Sequence, residues 1–140
     1  MISNVYFQKK KLNFDKFGVT VIKSFFNNKE IKELETKIND YIEKSKKKLE
    51  GKDINFIKNE INSIHKFKDR FFDKFSKQKK IIQLSSIMVN DKPVFRMCEY
   101  FAKPKRIGLA SPIHQDNYYW NLKGGKALTI WLAIDKATKE

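Results

Sequence analysis

The sequence predicts an α+β chain, with helices first, strands after, and the helices packed against a sheet. Three observations carry this. From Ile31 to Ile87, apolar residues recur at the three- and four-residue spacing of a helix face. From Val94 onward the apolar pattern shifts to the period of two expected of strands. Between the two regions, Asn90-Asp91-Lys92-Pro93 is a run of turn formers.

Residues 1–16 are polar and basic with scattered aromatics, and read as a loosely packed arm. Gly18 to Ile22 reads as a short strand. Asn27 or Asn28 caps a first helix, with Glu30 and Glu33 in its first turns, where the helix dipole favours carboxylates. Ile31, Leu34, Ile38, Tyr41 and Ile42 give it one buried face. Lys44, Lys46, Lys47 and Lys48 fill its C-terminal end, and Gly51 stops it. Asp53 can cap a second helical stretch, in which Ile54, Ile57, Ile61 and Ile64, then Phe67, Phe71, Phe72 and Phe75, keep the period. Ser76 is the expected cap of a third helix, Lys77 to about Met88, with Ile81, Ile82, Leu84 and Ile87 apolar. Residues 17–90 therefore hold one strand and the helices, and residues 91–140 the remaining strands, all within one domain.

Val94 to Ala102 reads as the first long strand. Phe95, Met97, Glu99 and Phe101 share one face, and Arg96, Cys98 and Tyr100 the other. Lys103-Pro104-Lys105-Arg106 breaks it. Ser111 to Ile134 then reads as a hairpin: an extended segment rich in Tyr and Trp, a Gly124-Gly125 turn, and the apolar strand Ala127 to Ile134. In that last strand Thr129, Trp131 and Ala133 share a face suited to a site. Leu128, Ile130, Leu132 and Ile134 form a face greasy enough to lie under helices.

The chemistry-bearing group is His114-Gln115-Asp116. On a strand, side chains i and i+2 leave the same face, so the His114 imidazole and the Asp116 carboxylate are expected a few ångströms apart. One nitrogen and one oxygen ligand make two-thirds of the facial triad of non-haem Fe(II) oxygenases. His65, the other histidine, falls in the charged helical run and reads as structural rather than as a ligand.

Composition sets the remaining bounds. With 140 residues the chain is one domain at most, and 41% hydrophobic residues suffice for a core. The formal charge of +14 suggests an anionic partner, but only Arg70, Arg96 and Arg106 are arginine. Nucleic-acid readers favour arginine with interleaved aromatics, so the lysines read as a solvated surface. A single cysteine, Cys98, excludes an internal disulfide framework and reads as a small buried hydrophobe. Neither a membrane span nor the apolar core of a signal peptide is present, so a cytoplasmic location is expected.

His114-Gln115-Asp116 followed by Tyr-Tyr-Trp, then Ala-Leu-Thr-Ile-Trp-Leu-Ala-Ile-Asp-Lys-Ala-Thr-Lys-Glu, resembles the phytanoyl-CoA dioxygenase family. The resemblance is specific from Pro112 to Glu140 and looser from Gly18 onward. It implies a double-stranded β-helix (a jelly-roll, cupin-like barrel), here incomplete. It implies Fe(II) as cofactor and 2-oxoglutarate as cosubstrate, with O₂ and a small organic or acyl substrate as partners.

The resemblance assigns His114 and Asp116 to the metal and Gln115, Trp131 and Met97 to the cosubstrate pocket. Tyr118, Tyr119 and Trp120 would shape the substrate entrance. The family's distal histidine and its 2-oxoglutarate-binding arginine have no counterpart up to Glu140, so residues 1–140 read as the N-terminal part of the domain, inactive alone. The alternatives are a basic nucleic-acid-binding protein and a cupin-like protein without metal.

Overall fold

In a computed structural model of the chain, residues 3–53, 69–101, 112–123 and 126–136 are described. Their regular elements are five helices: α1 (Asn4–Phe17), α2 (Asn28–Lys48), α3 (Arg70–Ser76), α4 (Lys79–Val89) and α5 (Asp116–Trp120). No strand is found among the described residues, which overturns the expected sheet and jelly-roll. The predicted runs Ile54 to Phe67, with His65, and the Gly124-Gly125 turn lie outside the described residues.

The N-terminal segment is a helix, not a loose arm. The Ser3 hydroxyl accepts from the Tyr6 N–H and caps the start of α1. Gly18 ends it in the left-handed region, φ 69°, and returns its N–H to the Phe14 carbonyl. Phe7 is 1% exposed and packs with Leu84 and Met88 of α4, the helix on which α1 lies. The i+4 position from Phe7 is Lys11, which interrupts the apolar stripe. Its ammonium instead bonds Asp15 at 2.7 Å and reaches the Met88 carbonyl at 3.3 Å, in the last turn of α4. The sequence pattern was weak because a lysine does the docking that a leucine usually does.

Residues 19–22 do not form the expected strand, and Val19 and Val21 are exposed. The chain turns at Ser24, φ 54°, into the capping box of α2. The Asn27 side chain accepts from the Glu30 N–H, and the Glu30 carboxylate accepts from the Asn27 N–H, both at 2.9 Å. The predicted inner face of α2 is the observed one, with Leu34, Ile38 and Tyr41 buried. With Phe72 of α3 they form a second cluster, against which Tyr100, Leu132 and Ile134 also pack.

A series of aromatic contacts joins the two clusters. Phe7 meets Phe25, Phe25 meets Phe26 edge-on at 4.9 Å, and Phe26 stacks on Phe75 at 5.0 Å. Phe75, Phe71, Phe72 and Tyr41 continue it. Lys80 of α4 lies over the Phe26 ring, 4.1 Å from its centroid, and bonds Glu30 at 2.5 Å and the Phe25 carbonyl at 3.3 Å. The start of α2, the turn before it and α4 are thereby fastened together.

Ser76 is the last residue of α3 rather than the cap of α4. Its hydroxyl donates back to the Phe72 and Asp73 carbonyls, so α4 begins later, at Lys79. Residues 94–101 and 126–134 lie against the helices as irregular chain rather than as strands. In 126–134 the predicted alternation holds only in part, because Ile130, expected on the greasy face, is 39% exposed. Leu128, Leu132 and Ile134 turn toward the helical clusters, while Thr129, Trp131 and Ala133 are exposed. A period of two states which face is buried; it does not supply a partner strand.

Candidate metal centre

Pro112 lacks an N–H and disfavours helix before it, so the chain reaches His114 without helical structure. Gln115 is extended, φ −113° and ψ 126°, and α5 begins at Asp116. Alternation across one extended residue turns the His114 and Asp116 side chains the same way. The expected juxtaposition therefore holds, although Tyr118, Tyr119 and Trp120 are helical rather than extended. Their strand preference is a weak force, worth at most about 1 kcal/mol. Asparagines decide the matter locally. Asn121 adopts φ 50° and bonds the Asn117 carbonyl at 2.8 Å, while the Asn117 side chain accepts from the Leu122 N–H at 3.0 Å.

His114 Nε2 lies 3.4 Å from Asp116 Oδ1, and both side chains are a little under half exposed. His114 Nδ1 is 2.7 Å from the Pro112 carbonyl oxygen. That oxygen can only accept, so Nδ1 carries the proton. The Tyr119 ring meets the imidazole edge-on at 5.8 Å. On the other side of the carboxylate, the Thr129 hydroxyl donates to Asp116 Oδ2 at 3.2 Å. Each ligand candidate thus has one partner on its outer atom, and the two inner atoms face each other.

In the neutral imidazole, those inner atoms are both acceptors, a lone pair against a carboxylate oxygen. A shared cation relieves that opposition. The 3.4 Å gap is loose for a charge-assisted hydrogen bond, which closes to about 2.7–2.9 Å. A divalent cation would be held by His114 Nε2 and Asp116 Oδ1, and would supply the positive charge that the two facing acceptors lack. The residues present therefore fit a metal, with one nitrogen and one oxygen ligand. No group of three or more His, Cys, Asp and Glu capable of holding a metal is found among the described residues, so the pair offers two candidate donor atoms and no third.

The other predicted site residues take different places. Gln115 precedes α5, exposed, and makes no capping bond with its side chain. Met97 is half-buried. Trp131 is 77% exposed and meets Phe101 edge-on at 5.9 Å. Among the described residues, none of the three forms a hydrogen bond, ion pair or ring contact with His114 or Asp116. Arg96 holds the far end of α5: its guanidinium lies over the Trp120 ring at 5.6 Å and donates to the Trp120 carbonyl at 3.5 Å. Thr129 was not legible as a site residue, beyond its sharing a face with Trp131.

A cavity of about 150 Å³ lies apart from the pair, lined by Glu35, Ile38, Asn39, Tyr100, Ile134 and Asp135. Burial and the Asp135 charge push the Tyr100 phenol above its usual range there.

The sequence profile of phytanoyl-CoA dioxygenase matches residues 14–140. The chain belongs to the phytanoyl-CoA dioxygenase family. Membership makes it, in class, an oxygenase. The matched span contains the whole His114–Asp116 pair, Thr129 and four of the five helices in full. Neither the curated proteins nor the solved structures gave a significant match. No helix among the described residues is long and apolar enough to cross a membrane.

Proposed function

We propose that this phytanoyl-CoA dioxygenase family member is an Fe(II)- and 2-oxoglutarate-dependent dioxygenase that hydroxylates a small organic or acyl substrate. His114 Nε2 and Asp116 Oδ1 hold the iron. The observation that carries the reading is their 3.4 Å separation, with both outer atoms already engaged. Iron with 2-oxoglutarate and O₂ would supply the oxidising power for insertion of oxygen into a C–H bond.

The chain's own residues present and orient. The Pro112 carbonyl fixes the His114 tautomer with Nδ1 protonated, leaving the Nε2 lone pair for the metal. The Asp116 carboxylate offers one oxygen, and a single anionic ligand beside a neutral one leaves net positive charge on the metal for an anionic cosubstrate. Gln115, Trp131 and Met97 are proposed for the cosubstrate pocket on the family resemblance. Exposed Tyr118 and Tyr119, beside the pair, are proposed as an apolar apron at the substrate entrance.

The test is iron-dependent release of succinate from 2-oxoglutarate by the protein, with and without His114→Ala. The reading predicts that turnover disappears in the variant. Unchanged turnover rules the assignment out.

A further inference from the structure

We infer that Thr129 is a positioning residue for metal binding: its hydroxyl fixes the Asp116 carboxylate so that one chosen oxygen faces His114. The inference rests on the proposed metal reading of the pair. Three contacts carry it. Asp116 Oδ1 faces His114 Nε2 at 3.4 Å, Asp116 Oδ2 accepts from Thr129 Oγ1 at 3.2 Å, and His114 Nδ1 donates to Pro112 at 2.7 Å. The histidine is oriented from within its own loop. The carboxylate is oriented from a different segment, 13 residues further along the chain.

A carboxylate free to rotate about its Cβ–Cγ bond presents either oxygen, or both, to a metal. Asp116 is the first residue of a five-residue helix, and its side chain is 48% exposed. Packing therefore does little to hold that rotation. The Thr129 bond occupies a lone pair of Oδ2 and leaves Oδ1 as the free ligand atom, which favours one-oxygen coordination. Thr129 can do this because its own run is anchored on the opposite face. Leu128 packs on the α1–α4 cluster and Leu132 on the α2–α3 cluster. The apolar face of residues 126–134 thus sets the height of the hydroxyl over the carboxylate. Threonine is also stiff about χ1, so little freedom remains to be lost in making the bond.

The experiment is anaerobic titration of the full chain with Co(II), read by its d–d absorption. Wild type, His114→Ala, Thr129→Val and Thr129→Ser are compared. Valine keeps the branched shape and removes the donor; serine keeps the donor. Thr129→Val is expected to weaken Co(II) binding by about 10-fold or more, as loss of a supporting hydrogen bond does. It is also expected to change the band shape, while Thr129→Ser stays close to wild type in both. Far-UV circular dichroism checks that each variant is folded. Equal affinity and equal spectra for wild type and Thr129→Val, with binding lost in His114→Ala, overturn the role of Thr129 alone. No binding by wild type, or binding unmoved by His114→Ala, overturns the metal reading and this inference with it.

Discussion

Glu30 has two separate duties. One carboxylate oxygen closes the capping box of α2 on the Asn27 N–H, and the other receives the Lys80 ammonium. Burial by itself would raise its pKa. The Lys80 hydrogen bond, the Asn27 N–H and the Lys80 charge outweigh that and hold the carboxyl below its ordinary 4.5. A depressed carboxylate pKa favours the fold above the unfolded-state value, and that contribution is lost as pH falls through the folded-state value. Glu30→Gln is therefore expected to cost about 1–2 kcal/mol at neutral pH. The difference from wild type should vanish in acid, once the pH has fallen through the lowered folded-state value. Urea unfolding of both proteins across that range checks this; a difference that persists in acid contradicts it. The same scale shows what spacing can and cannot reveal. His114 and Asp116 flank one residue, and Gln115 is extended, so their approach was legible from i, i+2 alone. The Thr129 contact spans 13 residues and leaves no trace in local pattern.

Among the elements, α2 was the most legible because three signals agreed, a cap, an apolar stripe and a basic C-terminal turn, although it ends at Lys48 with Leu49 as its cap rather than at Gly51. The helix α1 was not legible, because Lys11 sits where the stripe should continue and its docking is polar. Its burial rests heavily on Phe7. Phe7→Ala is expected to cost about 3–5 kcal/mol, the range for a fully buried ring. Leu12→Ala, on the exposed side of the same helix, should stay within about 0.5 kcal/mol. Denaturant midpoints of the two variants check the contrast; a tolerant Phe7 would mean that α1 is not part of the core. The segments 94–101 and 126–134 failed as strands for a different reason. Their alternating pattern satisfies a helical surface as well as a sheet, since all it demands is one apolar face. At α5 the aromatic residues suggested extension, and the Asn117 and Asn121 bonds overrode them.

For the whole molecule, the charge of +14 is the dominant surface property, and it is carried almost wholly by lysine. Of the three arginines, Arg96 already holds Trp120. Binding to duplex DNA is expected to be weak, independent of sequence and steeply reduced by salt, as counterion release requires. Submicromolar affinity at physiological salt, measured by fluorescence anisotropy, would contradict that and favour a nucleic-acid role. The central claim is narrower: an oxygenase-family chain whose metal is held by His114 and Asp116. Equilibrium dialysis of the chain against Fe(II) without oxygen tests it most directly, using wild type, His114→Ala and Asp116→Ala. The account predicts about one iron per wild-type chain and affinity at least about 100-fold lower in either variant, beyond what loss of a supporting bond costs. Iron bound equally well by all three proteins would contradict it.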